Sequence, residues 1–525
     1  MRLFLFVVFV GLASPVFAQA PPCNGGRVFE DRNGDHRFDA GDIGLPGMRV
    51  SNGRDIVRSD AQGNYSLPAE SGRSTFVIKP AGFKAALRSD GLPDTWRNIQ
   101  IDDMAKLRYG GVRAAVPACQ DFALQREGKS AKTLDVLLFG DPQPKSLRDI
   151  DFYSRDIVAP LVGKTPARLG LSLGDIVNDD LSLYPALKAV DARLGLPWLH
   201  VPGNHDIDFD AAGDEDSTSS FRAAFGPDTY AWEEPLANFV VFDDVVYMPG
   251  QKPAYIGGLR AEQFTFLENY LATIATDRLL VISVHIPFFD AAPGQETFRH
   301  ADRDRLFALL QHFPKVLLLS AHSHKQKRFY HDATTGWHGA QPLQEFNVGA
   351  ACGAYWSGVA DADGIPAATM ADGTPNGYAM LSVDKKDYAL RWYPARAPET
   401  RQIGLHAPRT LRRGAYPAYG VYANYYMGDA QSRVEFRIDG GAWQAMKRVL
   451  QPDPNLVAEN VADDSSPSLR SFDRSPEAEP SEHLWRGVLA TDFAAGTHRI
   501  DVRAFDRWRG EVTASTSYQL LDATP

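Results

Sequence analysis

Five apolar runs between positions 134 and 320 each end in side chains of metal-ligand type. The run 134–139 is followed by Asp141 and Gln143, and 169–173 by Asp175. The run 198–201 is followed by Asn204, His205 and Asp206, 279–284 by His285, and 316–320 by His322 and His324. A single Gly-Asp, or a lone histidine behind an apolar run, is ordinary structure. Five such endings in succession are not, and four of the 13 histidines fall in them. In layered α/β folds the residues just beyond strand ends meet in one crevice. These endings can therefore gather two carboxylates, an Asn, a Gln and several imidazoles around one point. The mixed nitrogen and oxygen set, without thiolate, suits divalent transition metals such as Mn, Fe, Zn or Co. Glycines before Asp175 and Asn204 let the backbone turn tightly there. Alternation on a strict strand puts His322 and His324 on one side, with Ser323 facing away.

The elements that must hold these endings follow from the apolar pattern. With 525 residues the chain has room for about three domains. Residues 21–124 carry short alternating runs between Asn, Gly, Asp and Pro turns, which predicts a β-rich domain; 125–132 is a polar linker. Across 133–395, short apolar strands alternate with helical patterns. One of these is 258–271, with positions 264, 267 and 271 on one face. Alternation of this kind predicts an α/β layered core. Residues 396–525 turn β-rich again: Asp439-Gly440 reads as a hairpin turn and 498–504 as a half-buried strand. The Ser-, Pro- and acid-rich stretch 462–482 reads as a long mobile loop.

Net charge is −10, which argues against a nucleic-acid-binding surface. Arg2, the apolar run 3–12 and small residues ending at Ala18 read as a secretory signal peptide over 1–18, too short to span a membrane. A retained N-terminal anchor is the alternative. No other segment is long and apolar enough to be a transmembrane helix, and the mature protein is expected in the periplasm or outside the cell. In an oxidising compartment Cys23 and Cys119 can form a bridge tying the ends of the first domain, the alternative being free thiols; Cys352 is the odd one.

The order Asp-x-Gln, Gly-Asp-x-x-Asn, Gly-Asn-His-Asp, His, Ala-His-x-His resembles the calcineurin-like metallophosphoesterase superfamily over 133–395. Gln143 stands where His is commoner, and Ala321 where Gly is. The run 28–35 looks like the start of β-sandwich repeats of bacterial surface adhesins. Segments 346–356 and 372–378 look like a three-domain bacterial branch of the superfamily. The resemblance implies an α/β protein, a central four-layer α/β/β/α sandwich flanked by N-terminal and C-terminal β-sandwich-like domains. It implies one ion held by Asp141, Gln143, Asp175 and His324 and a second by Asp175, Asn204, His285 and His322, with Asp175 bridging. A hydroxide shared by ions about 3.5–4 Å apart then attacks phosphorus, and His205, oriented by Asp206 or Asp175, assists the leaving group. The implied substrate is a small phosphate ester, as monoester or diester. The amide of Gln143 is expected to harden its site toward Mn or Fe over Zn.

Outside this set, Asp31, Asn33, Asp35, Asp39 and Asp42 occupy positions 1, 3, 5, 9 and 12 of a loop, the spacing of an EF-hand calcium site. His36 replaces the usual Gly, and a solvated acidic turn is the alternative. Tyr355 and Trp356 either line the cleft or belong to the core. Arg222 reads as a surface helix residue. The competing reading of the whole chain is a surface binding or adhesion protein whose phosphoesterase core has decayed.

Overall fold

The computed structural model describes residues 25–102, 106–115, 119–128, 131–292, 294–470 and 473–523. The expected leader and Cys23 lie outside them. Cys119 is disulfide-bonded and Cys352 is free and buried. Among the described residues no helix is long and apolar enough to cross a membrane.

The centre of the molecule is an α/β fold on two mixed sheets. One has the spatial order Trp198–Val201, Leu169–Leu173, Leu134–Phe139, Gly377–Val383, Tyr388–Pro394, its first three strands parallel. The other has the order Tyr230–Glu233, Ala237–Val241, Leu279–Ser283, Val316–Ser320, Leu343–Asn347, Lys327–His331, with the four strands from Ala237–Val241 to Leu343–Asn347 parallel. Leu169–Leu173, Ala237–Val241 and Leu279–Ser283 are buried at every position. Strands covered on both faces need continuous apolar runs and lose the alternation of a one-sided sheet. Helices connect them. Ser146 caps Leu147–Tyr153 by accepting the Asp149 N–H at 3.3 Å, which starts a helix three residues after Gln143. Helix Ala261–Leu271 buries Phe264 and Leu267 as expected, with Phe266 and Tyr270 beside them.

The N-terminal strands form two small sheets over their own core of Val28, Leu45, Val50, Tyr65, Phe83, Phe122 and Leu124. Phe76, Ile78, Trp96 and Leu107 leave that core and join the central one. A buried ion pair, Lys79 to Glu234 at 2.6 Å, crosses the same junction. In the acidic loop, Asp31 accepts the Gly34 and His36 N–H groups at 2.7 and 3.2 Å. Asp42 accepts those of Arg32 and Asp39 at 3.0 and 3.1 Å, and Asn33 and Asp35 cap Asp35 and Arg37. The C-terminal strands form two further sheets and a two-stranded pair, Gln451–Pro452 with Pro480–Ser481. Asp439 and Gly440 have φ of 50° and 73°, the left-handed pair that a tight hairpin requires, and Glu435 pairs with Ala445 across the turn. Strand Gly496–Asp506 alternates buried and exposed as expected.

Two expectations need correction. The stretch 462–482 is not simply a loop. Helix Pro454–Asp464, capped by Asp453, runs into it. Beyond the helix, Ser475 is buried, Asn460 bonds Pro476 and Gly358 bridges to Asp473. Its polar residues are used to fasten it to the core. Arg222 is not on the surface: it is 5% exposed on helix Ser219–Phe225, and its guanidinium donates to the Gly72 carbonyl of the N-terminal domain. An arginine facing another domain looks solvated when only its own helix is considered.

Candidate metal centre

The five strand endings do converge. Asp175 Oδ1 lies 3.3 Å from His285 Nε2, which lies 3.1 Å from Asn204 Oδ1 and 3.2 Å from His322 Nδ1. Ligand atoms of Asp175, His285 and His322 all fall within 4.8 Å of one another. The other oxygen, Asp175 Oδ2, is 3.3 Å from the Gln143 amide. Asp141 Oδ1 lies 3.7 Å from His324 Nε2. Asp175, Asn204, His285 and His322 thus form one contiguous cluster with Gln143 at the second Asp175 oxygen, and Asp141, which accepts the His322 N–H at 3.2 Å, joins His324 to it.

Close approach is built into the glycines. A Cβ on Gly174, at φ 88°, would sit 2.4 Å from His285 Nδ1, and one on Gly203 would sit 2.3 Å from Asp175 Oδ1. The ligands themselves are also bent out of ordinary geometry. Asp141, Gln143, Asp175, His322 and His324 have φ of 41°, 40°, 48°, 68° and 48°. Non-glycine residues hold such a left-handed conformation at a cost of about 1 kcal/mol or more each, and mostly where function over-determines it. This corrects the strand reading of His322 and His324. Strand Val316–Ser320 ends before them, and two left-handed residues in a turn aim the rings. Ser323 does face away, bonding Asn347, which also holds the Ala321 carbonyl.

The donor set fits cations. His285 Nδ1 and His324 Nδ1 are turned to the carbonyls of Leu173 and Gly353 at 2.8 and 2.7 Å. Each Nε2 lone pair is thereby left facing the cluster. Asp141 Oδ1 is buried with no hydrogen-bond partner. Lone pairs converging without donors demand positive charge. Burial alone would depress His285, but the neighbouring Asp175 and Asp141 raise it to about 10. Burial pushes Asp141 up to about 8, with Asp175 adding to the shift. Burial, reinforced by His285, holds His322 down to about 3. A half-turn of the Gln143 amide, which preserves its shape, exchanges Nε2 for Oε1 at the centre.

His205 is placed beside this group, its Nε2 4.0 Å from Asp175 Oδ2. Of the two acids expected to orient it, Asp175 accepts the His205 backbone N–H at 2.9 Å, while a third acid meets the ring. His205 Nδ1 lies 2.7 Å from Asp179 Oδ1. Asp206 points the other way, fully buried, and accepts the N–H groups of Ile176 and Gly203 at 2.9 Å and the Tyr184 hydroxyl at 3.0 Å. Asp206 clasps two ligand loops together and does not orient His205. Burial opposes protonation of His205, but the bond to Asp179 and the charge of Asp175 raise its pKa overall. Asp179 is five residues past Gly174, and nothing in its spacing separates it from Asn178. Asp244 was also missed: it accepts the His285 and Ile286 N–H groups at 3.0 and 2.9 Å. Its only signal was a pair of acids inside an apolar stretch.

Tyr355 and Trp356 part company. Trp356 is fully buried and donates to the Pro142 carbonyl at 3.0 Å, so it is core. Tyr355 is 44% exposed, its ring 4.6 Å from that of His324 and its outer side under Lys145. Both have φ of 56°, a backbone from which the two rings diverge.

Three family models match the chain. Residues 32–109 match the N terminal of calcineurin-like phosphoesterase, 134–326 calcineurin-like phosphoesterase itself, and 345–511 the C terminal of calcineurin-like phosphoesterase. No curated protein matches. Among solved structures, a dimetal phosphatase from Danio rerio aligns at 15% identity and TM-score 0.32, covering 49% of this chain and 98% of that one. A purple acid phosphatase from yellow lupin (Lupinus luteus) seeds aligns at 12% identity and TM-score 0.37, covering 66% and 67%.

Proposed function

From the premise that this chain belongs to the calcineurin-like phosphoesterase superfamily, we propose that it is an exported, dimetal-dependent hydrolase of phosphate esters. One observation carries the reading: Asp175 meets His285 through one oxygen and Gln143 through the other, His322 and Asn204 close on His285, and an orphaned Asp141 oxygen lies in the same cluster beside His324. When bound there, two divalent ions supply Lewis acidity and an ionised water at neutral pH. The residues do the rest. Asp175 touches both His285 and Gln143 and keeps them in register. Asp206 ties the loop of Asp175 to that of Asn204 and His205. With Nδ1 engaged by Asp179, His205 presents its Nε2–H to the leaving oxygen and gives up that proton as the P–O bond breaks. Gln143, an amide in place of an imidazole, favours Mn or Fe over Zn in its half of the site.

Export is supported by the leader-like residues 1–18 and by the disulfide at Cys119, a bond that persists in oxidising compartments. The substrate is a small phosphate ester, the class that membership of the superfamily suggests. The test is turnover of an aryl phosphate and a bis-aryl phosphate by protein reconstituted with Mn. Hydrolysis of either supports the reading, and the preferred ester assigns monoester or diester specificity. Confirmed metal with no turnover of either returns the chain to the class of binding proteins.

A further inference from the structure

We propose that the N-terminal domain completes the proton-donating part of the site, through Tyr109 as a positioning residue for the Asp179–His205 pair. This rests on the hydrolase reading above and extends it to a residue outside the central fold.

The segment around Tyr109 is docked, not draped. Leu107 is 5% exposed and belongs to the central core. The Arg108 N–H donates to Asp210 at 2.7 Å, and the Gly111 and Val112 N–H groups donate to the hydroxyls of Ser220 and Ser219 at 3.3 and 3.1 Å. Between these anchors the Tyr109 hydroxyl donates to the Asp179 carbonyl at 3.0 Å. Asp179 needs holding. Its φ is 64°, a conformation that a non-glycine residue keeps only when its surroundings impose it. Two of the constraints come from His205 itself: the Asp179 N–H donates to the His205 carbonyl at 3.2 Å, and the Asp179 carboxylate meets Nδ1 at 2.7 Å. The His205 N–H is tied to Asp175 Oδ1 at 2.9 Å, which fixes the histidine end of the pair and leaves the Asp179 end to be held. The Asp179 side chain is about half exposed, so packing does little to hold it. Tyr109 is the fixed point from another body, and it acts on the backbone carbonyl, leaving the carboxylate free for His205.

This assignment has a signature that general destabilisation lacks. A misplaced proton donor matters most when the leaving oxygen is strongly basic and least when it departs unaided. We compare the wild type, Tyr109→Phe and His205→Ala, each loaded with Mn, on aryl phosphates from dinitrophenyl to phenyl, with metal content and Tm measured on each. Tyr109→Phe keeps the ring and removes the hydroxyl. It is expected to lose about five- to tenfold in kcat on phenyl phosphate, the scale of one lost hydrogen bond. It should lose almost nothing on the dinitrophenyl ester, with metal content and Tm unchanged. His205→Ala is expected to show the same tilt, larger. A Tyr109→Phe series parallel to wild type, at equal or uniformly lower rates, beside a tilted His205→Ala series overturns this inference and leaves the hydrolase intact. Wild-type protein inert with metal bound overturns both.

Discussion

Asp175 and Asp372 are both buried aspartates facing a histidine, His285 at 3.3 Å in one case and His483 at 3.1 Å in the other. The second pair sits where the C-terminal sheets meet the central fold. There the carboxylate and imidazole valences close on protein. Asp372 Oδ1 accepts the Thr374 N–H at 2.8 Å, and Oδ2 accepts Gln326 N–H at 3.0 Å beside His483. Asn424 receives the other His483 nitrogen at 2.6 Å and donates to Asp453 and to the Asp372 carbonyl. The backbone of Asp372 is not among the left-handed residues. Around Asp175 the backbone is bent at five ligands, and Asp141 Oδ1 has no partner. A closed acid–imidazole cluster fastens two parts of a fold, whereas an open one waits for a cation. Asp191 marks the boundary of the rule. Its Oδ2 is also orphaned, but its side chain meets only the Tyr153 hydroxyl, at 2.7 Å. With no imidazole in company, a proton completes it.

The comparison breaks most visibly at its two aspartates. Asp175→Ala is expected to cut turnover of an aryl phosphate by about 10³-fold or more, as loss of one member of an interdependent catalytic unit does, while the protein stays folded. A variant keeping a tenth of wild-type activity would place the chemistry elsewhere. Asp372→Ala is expected to do the reverse. Steady-state rates per folded molecule should hold within about threefold. Denaturant unfolding should show a loss of about 3 kcal/mol, the cost of stranding a buried charged partner.

Chelation sharpens the same contrast. Removing metal should lower the stability of wild type by about 3–4 kcal/mol for each ion lost when free metal stands at 100 to 1,000 times Kd. The Tm of Asp175→Ala should respond hardly at all, and a differential scanning melt with and without chelator checks both. An equal shift in the two proteins would mean that the metal binds elsewhere.

The smallest effects are in the pH dependence of stability. Burial raises the Asp372 carboxyl, but the adjacent His483 pulls it below its ordinary 3.8. Its stabilisation is then present above pH of about 4 and lost as pH falls through the depressed value. Burial raises Asp191 to about 7, so the sign reverses. The folded state binds the extra proton, and stability falls as pH climbs from about 4 to about 7. Asp191→Asn is expected to flatten that upper slope and leave the acid limb alone, as urea midpoints across pH 4–8 would record. An unchanged upper slope would remove Asp191 from the explanation.

The strand endings were legible in the sequence because both ingredients are local: a fully apolar run, and polar residues directly after it. The seven side chains proposed as ligands are picked out that way, and so is the α/β architecture, which the structure shows. Failures cluster where geometry depends on something distant or on φ. His322 and His324 were placed on a strand because alternation cannot register two left-handed residues. The motif offers Asp206 or Asp175 as the partner of His205, and Asp179 meets its ring instead of Asp206 because a turn sends neighbouring side chains to opposite sides. Trp356 and Tyr355 have equal claims until the backbone separates them. Arg222 and the stretch 462–482 looked solvated because their partners, Gly72 and the residues around Gly358, are far away in the chain. Tyr109 had no signal at all: its function is conferred by docking between domains.

The central claim is that one open cluster, organised by Asp175, holds a pair of ions. Metal analysis of purified, metal-saturated wild type beside Asp175→Ala and Asp372→Ala tests it directly. Two equivalents per chain in wild type and Asp372→Ala, and loss of both in Asp175→Ala, is the expected result. No bound metal in wild type, or full occupancy in Asp175→Ala, would contradict it.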